Sequence, residues 1–356
     1  MQLGILGLPK TGKTTLFNTL TASELDTDKF AASKKTHVAV AKVPDARLAQ
    51  LRDLYKPKRY VPATVEYVDI PGVNKGDGRE SLDLGELRTV DALVHVVRAF
   101  DDPELLHAAG SIDPARDVAD LDLELVLADY ELVERRLERL EKSAKGGLSP
   151  DEKREQQILS EIILPALENE KPIRTLELEP DDEKRLRGFQ LLSAKPQLVV
   201  INVGEDQVGE ATPESFGLEL DDQTQVVVIS APIEEEISRL GPEEQAEFLG
   251  DLGLEEPSVD RVLRASFDLL GWIAFFTVGE DEVRAWNIRR GTIARDAAGA
   301  IHSDIARGFI RAEVISWKDL LDLGSMAAAR DKGVLRLEGK EYVMKDGDIA
   351  HFRFNV

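Results

Sequence analysis

Gly7-Leu8-Pro9-Lys10-Thr11-Gly12-Lys13-Thr14 is the stretch whose reading decides the fold. It has the form G-x-x-x-x-G-K-T. The apolar run Met1-Gln2-Leu3-Gly4-Ile5-Leu6 precedes it, and the helix-compatible run Thr15-Leu16-Phe17-Asn18-Thr19-Leu20 follows. A buried strand, a glycine-rich turn and then a helix is the context a phosphate-binding loop requires. Gly7 and Gly12 leave room for the backbone to wrap, so that successive N–H groups point inward at phosphates. The helix behind the loop adds its positive end. Lys13 places a point charge between the β- and γ-phosphates, and the Thr14 hydroxyl can ligate Mg²⁺. The expected contacts on the phosphate side are Lys10, Thr11, Gly12, Lys13, Thr14 and Thr15. A nucleoside triphosphate is the expected substrate and Mg²⁺ its companion.

Working outward, Tyr60–Ile70 alternates as a strand and is followed by Asp69-Ile70-Pro71-Gly72. D-x-x-G at a strand end is the metal-side partner of a P-loop. The carboxylate of Asp69 holds a metal-bound water, and the backbone of Gly72 senses the γ-phosphate. Ala92–Val97 reads as a strand inside a parallel sheet, and His95 within it reads as a packed residue rather than a catalytic one. Gln197–Ile201 and Gln225–Ile229 are two more buried strands, ending in Asn202-Val203-Gly204-Glu205 and Ser230-Ala231. Guanine-specific proteins carry N-K-x-D and S-A-K at such places. Here Glu205 replaces the Asp, Val203 the stacking Lys and Pro232 the last Lys. Asn202, Val203, Glu205, Ser230 and Ala231 are therefore the expected base-side residues, at the carboxyl edge of an open α/β sheet.

Composition bounds the setting. The chain of 356 residues has room for two or three domains. It has no cysteine, which excludes a disulfide framework and Cys-ligated zinc or iron–sulfur sites and fits a reducing, cytoplasmic setting. The first strand starts at Met1, so no cleavable leader is expected, and no apolar run reaches the ~20 residues that span a bilayer. A net charge of −22 opposes indiscriminate nucleic-acid binding, and no DNA specificity is evident. From Phe276 onward, 13 basic residues balance 13 acidic ones, so the acidity lies upstream.

These residues resemble the Obg-like ATPase (YchF-type) family of translation-factor-related P-loop NTPases. The likeness runs through Gly7–Thr15, Lys42–Arg47, Lys56–Gly72, Val90–Arg98, Asp113–Asp117 and Asn202–Glu205. It closes with Gly308–Ile315 and Asp346–Val356. The resemblance implies a parallel-sheet nucleotide domain at 1–100 and 195–275, an inserted α-helical hairpin at 101–194, and a C-terminal β-grasp (TGS) domain at 276–356. It also implies ATP as substrate, with GTP accepted, slow hydrolysis, and the ribosome or ribosomal RNA as partner. The alternative is a nucleotide-gated binding module with little or no turnover.

The patterning is consistent with that plan. Asp117–Lys145 carries a leucine-rich helical stripe with many i,i+4 charge pairs, Gly146-Gly147 breaks it, and Pro150–Glu170 resumes it. Pro232–Leu270 reads as helical, and Phe275–Val356 is strand-rich with turn signals. No internal repeat interrupts the chain.

Several positions bear on hydrolysis, and some depart from the family pattern. Val73 follows D-x-x-G where many GTPases place a water-orienting Gln; a hydrophobic residue there is the family's habit. His107 lies in Leu105–Gly110, which resembles the family's His-containing loop, and is either the water-orienting group or a solvent-exposed loop histidine. Lys10-Thr11 replaces the family's Asn-Val, whose Asn is associated in related NTPases with potassium. Lys10 then either supplies a built-in cation for catalysis, beside Lys13, or reaches into solvent. Ser33 aligns with the family's Mg²⁺-ligating Thr, and Thr36 could serve instead. The glycine run after Lys75 is shortened.

Overall fold

The computed structural model describes residues 2–21, 37–70, 72–75, 79–82, 84–218, 220–221 and 223–355. Its internal contacts define two compact units. One comprises Met1–Ala39 and Glu66–Ala265; the other comprises Val40–Val65 and Ser266–Val356.

The first unit is organised by strands that are apolar on both faces, as burial between helical layers demands. Gln2–Leu6 lies between Thr64–Asp69 and Ala92–Arg98 and is parallel to both, with Ile5 opposite Asp69 on one side and Val94 on the other. Gln197–Asn202 and Thr224–Ile229 extend the sheet in the same direction, and His37–Lys42 stands at the opposite edge. Five carboxyl ends therefore converge on one rim. His95 is a core residue: burial, with the Lys13 and Arg174 charges nearby, pushes its pKa down to about 3 and keeps the ring neutral.

The helical insertion begins at Pro114, three residues earlier than its leucine stripe. Asp113 caps it by accepting from the Arg116 N–H, and Pro114 fits the first helical position because no intrahelical bond is lost there. Leu121 and Leu125 of this helix, Pro114–Ala144, pack under the sheet with Leu6 and Leu93. Farther along, Val133 and Leu140 meet Ile158, Ile163 and Leu167 of the returning arm. That arm is not one uniform helix. Pro165 has no N–H for the carbonyl four residues back, and Leu159–Ile163 forms a π-turn in which the Leu164 N–H reaches Leu159 O. Asp129, 0% exposed, ties the insertion to the chain returning to the sheet. It accepts from Leu192 N at 3.0 Å, Ser193 N at 2.7 Å, Ser193 Oγ at 2.9 Å and Arg88 Nη1 at 3.2 Å. The expected helix Pro232–Leu270 resolves into three: Ala231–Ile237, Pro242–Asp251 and Ser258–Leu269.

The expected strand Tyr60–Ile70 is divided. Pro62 cannot donate to a ladder. Before it, Arg59–Val61 pairs in parallel with Glu282–Arg284; after it, Thr64–Asp69 runs into the nucleotide-domain sheet. The second unit's sheet runs Arg336–Glu338, Phe309–Ser316, Asp348–Phe354, Trp272–Thr277, Glu282–Arg289, Arg59–Val61. Ala294, Ala297 and Ala298 let the helix Ala294–Ile301 settle closely on Phe275, Val314 and Phe352, giving the β-grasp arrangement. The helix Ala46–Tyr55 is bound into the same unit through Arg47, which bridges Asp45 at 2.8 Å and Asp346 at 2.6 Å and lies over the Phe276 ring. Gly347, at φ +81°, leaves space there: a Cβ would fall 2.5 Å from the Trp317 ring. Of the stretch expected as nucleotide domain, Val40–Val65 thus folds with the C-terminal strands.

A chain ending at Leu270 should therefore lose hydrogen-exchange protection across the helix Ala46–Tyr55, while Gln197–Asn202 stays protected. Retained protection at both places would refute this dependence.

Candidate functional site

The G-x-x-x-x-G-K-T turn lies on the rim where the parallel strands end. Gly7 has φ +146°, and a Cβ on it would fall 2.3 Å from the carbonyl oxygen of Val96. Gly12 has φ +94°, and its Cβ would fall 2.3 Å from the Asn202 amide nitrogen. Both glycines are thus required by close packing as well as by backbone angle. Lys10 also takes a left-handed conformation, φ +64°, and its side chain is exposed. Thr11 is buried, with its hydroxyl donating to Leu8 O at 3.1 Å. The helix Lys13–Thr21 starts directly behind, with Leu16 N donating to Gly12 O at 2.9 Å. Lys13 folds back over the loop, its ammonium donating to Gly7 O at 2.9 Å and Leu8 O at 2.6 Å. Those carbonyls hold the ammonium over the turn, at the place where phosphate oxygens would replace them.

Asn202 joins two walls of the site. It is 2% exposed, its Nδ2 donates to Thr11 O at 3.0 Å, and its Oδ1 accepts from Ala231 N at 2.9 Å. It therefore links the P-loop to the start of the helix Ala231–Ile237, with Ser230 buried beside it. Val203 is packed into the core with Val97, Val118, Val199 and Ile201, so its side chain does not face outward as a stacking Lys would. Glu205 is exposed and opens the short turn Glu205–Gln207.

Thr14 is exposed at the start of its helix, and Asp69 ends the strand beside Gln2–Leu6. A hydroxyl and a carboxylate are hard oxygen donors, and Mg²⁺ in such sites takes one or two protein oxygens and completes its shell with phosphate and water. The pair fits that cation. Gly72 begins the hairpin strand Gly72–Lys75, paired with Leu82. Thr15 lies half-buried one residue into the helix. Ser33, Thr36 and the shortened glycine run at Gly76–Gly78 lie outside the described residues.

His107 is brought to the same rim, in the loop after Ala92–Arg98, but with its ring turned inward. The side chain is 5% exposed, and Nε2 lies 3.1 Å from Asp117 Oδ2, at ion-pair distance but off the line of a good hydrogen bond. Arg98 organises the loop and was missed in the sequence. It is 1% exposed and donates to Phe100 O at 3.0 Å, Leu105 O at 2.9 Å and Asp102 O at 3.4 Å. The available signal was a single charged residue closing an otherwise apolar strand. Asp117 was visible only as the last residue of a motif.

A lysine-bearing turn at the head of a parallel sheet, braced from the base-side strands, places the chain among the P-loop nucleoside triphosphatases. Residues 2–128 match the family described as "50S ribosome-binding GTPase", and residues 272–355 match a C-terminal family described as "Protein of unknown function (DUF933)". The chain is 43% identical to the Ribosome-binding ATPase YchF of Bacillus subtilis, each covered over 100% of its length. It is 36% identical to Obg-like ATPase 1 of Oryza sativa, over 100% of this chain and 92% of that one. The solved structure of the Schizosaccharomyces pombe YchF GTPase superposes with a TM-score of 0.88 at 33% identity, covering 99% of this chain and 97% of that one. The chain belongs to the YchF family of Obg-like ATPases. Among the described residues no helix is long and apolar enough to cross a membrane.

Asn202→Ala removes two bonds at once and leaves Thr11 O and Ala231 N without their buried partner. A loss of about 2–3 kcal/mol in urea unfolding is expected, with nucleotide binding weakened alongside. An unchanged unfolding midpoint would show that the bridge carries no load.

Proposed function

We propose that this protein is a Mg²⁺-dependent ATPase, accepting GTP, whose nucleotide state controls association with the ribosome or RNA. The P-loop itself carries the reading: Lys13 is held over the Gly7 and Leu8 carbonyls, with Thr14 and Asp69 flanking the same strand end. Relatives named as ribosome-binding ATPases, similar over the whole chain, support the same class of activity and partner. Phosphoryl transfer needs little covalent help, so positioning and charge carry the catalysis. Phosphate release from ATP with Mg²⁺, with Lys13→Ala as blank, tests the activity. No release above the blank would leave a binding module instead.

Base choice follows from Glu205. A carboxylate one methylene longer than Asp misplaces its oxygens for guanine's paired donors, and the buried Val203 offers no stacking stem. Leaving such donors unpaired costs on the order of 1–3 kcal/mol each. ATP is expected to bind at least as tightly as GTP, and Glu205→Asp to move the preference toward GTP. Direct titration decides it, a strong native GTP preference being the contrary result.

Lys10 serves hydrolysis as a tethered cation. In the loose transition state negative charge spreads over the phosphoryl oxygens, and a fixed charge there is worth more than a diffusing ion. Lys10 stands exposed on the P-loop turn itself, which tethers its charge beside the expected phosphate cradle. Rates in sodium and potassium buffers should be equal, and Lys10→Ala should slow turnover. Strong potassium stimulation of the native protein would exclude the tethered cation.

Ribosome association is proposed to use the charge-balanced C-terminal unit. Several of its arginines are already engaged: Arg295 with Asp296, Arg307 with Asp304, and Arg353 with Glu313. Arg311, exposed opposite Arg353 in the sheet register, offers a further positive position for phosphates. Co-sedimentation should weaken as salt rises, because counterion release drives such contacts. Absence of pelleting with and without ATP at low salt would count against it.

A further inference from the structure

We propose that Asp117 is a latch that holds His107 in a resting position and so restrains hydrolysis. The inference rests on the reading of His107 as the group that orients water, and adds a regulator to it.

The loop after Ala92–Arg98 has a fixed half and a loosely held half. Arg98 spends its guanidinium on the carbonyls of Phe100, Asp102 and Leu105, which fixes the chain as far as Leu105. Beyond that point Leu106, Ala108, Ala109 and Gly110 are exposed. Gly110 has φ +84° and its N–H donates to His107 O at 3.0 Å, so this exposed half is held by local turn bonds. The far end of the loop is tied by Arg116, which donates to Ser111 Oγ at 2.8 Å and Ser111 O at 2.7 Å.

Between these ties the ring of His107 is held at one nitrogen and faces a carboxylate with the other. Its Nδ1 accepts from Ala109 N at 3.2 Å, so in the neutral imidazole the proton is assigned to Nε2. That Nε2 faces Asp117 Oδ2 at 3.1 Å. Nδ1 is spent on the Ala109 N–H, and Nε2, turned toward Asp117 in a side chain 5% exposed, cannot reach a water outside. To act on a water attacking the γ-phosphorus, the ring must leave Asp117.

Asp117 does not need His107 to remain satisfied. Its other oxygen, Oδ1, accepts from Arg116 Nη2 at 2.7 Å and Nε at 3.1 Å, and it lies in the first turn of Pro114–Ala144, where the helix end favours a negative charge. Release of the ring therefore strands no isolated charge.

Asp117→Asn keeps the shape and removes the charge that holds Nε2–H. Steady-state hydrolysis by the full-length protein should rise on the order of threefold to tenfold in kcat, the worth of one close polar contact to a charged group, with KM for ATP unchanged. His107→Ala should hydrolyse slowly, and the double variant should match it, since the latch has nothing left to hold. A readout independent of turnover is the labelling of His107 by diethyl pyrocarbonate, followed by mass spectrometry: slow in the native protein and faster in Asp117→Asn. A fall in kcat in Asp117→Asn would overturn the latch and make Asp117 an aid to catalysis. Unchanged kcat with unchanged labelling would overturn it as well. If His107→Ala hydrolyses at the native rate, the catalytic reading of His107 fails and the restraint fails with it. The labelling distinguishes that outcome from failure of the contact itself.

Discussion

The P-loop backbone lies so close to its neighbours that two of its positions admit no side chain, and the rest of the site depends on this packing. Gly7 sits against the Val96 carbonyl and Gly12 against the Asn202 amide, and a methyl group at either would overlap a polar atom. Interiors packed to crystal-like density do not yield locally to such an overlap. The turn is therefore seated on the sheet before any ligand arrives. The Asn202 amide extends the seating, since one planar group satisfies a carbonyl of the turn and an N–H of the next wall. Pre-organisation of this kind spares a ligand the entropy of ordering its own cradle.

The parallel sheet was legible because its strands carry long apolar runs that only two-sided burial explains, and because both phosphate-side motifs sit at strand ends. The insertion was legible from its leucine stripe and the Gly146-Gly147 break. The π-turn at Leu159–Ile163 was not, since it arises from one missing N–H at Pro165 inside a pattern that still reads as helix. Tyr60–Ile70 misled for a related reason: its alternation continues across Pro62, and alternation carries no information about which sheet each half joins. In the site, the turn glycines were readable from spacing, whereas Asn202, expected as a base-side contact, spends both ends of its amide on bridging Thr11 O and Ala231 N. The inward turn of His107 was not readable, because a loop's sequence shows which groups it carries and leaves their direction to contacts made elsewhere in the chain.

Several buried charges among the described residues are spent on backbone. Arg98 binds three carbonyls of one loop, Asp129 takes two amides beside its hydroxyl and arginine partners, and Glu234 accepts from Ser258 N and Val259 N at the start of a helix. Burial, with the Asp260 charge nearby, raises the pKa of Glu234, and those two N–H groups with the Ser258 side chain offset part of the cost. Such bonds fix irregular chain that neither helix nor sheet can order. Replacing one by an apolar residue would leave several backbone groups unpaired at once.

The loan of Arg59–Val61 to the sheet of the second unit has a consequence for how this architecture can be inherited. The C-terminal sheet covers one flank, at Glu282–Arg284, with a strand encoded more than two hundred residues upstream. A gene fragment carrying the C-terminal strands alone would bring an open flank with it, and open flanks recruit other chains. The two parts therefore cannot be exchanged as separate cassettes without a replacement for that strand.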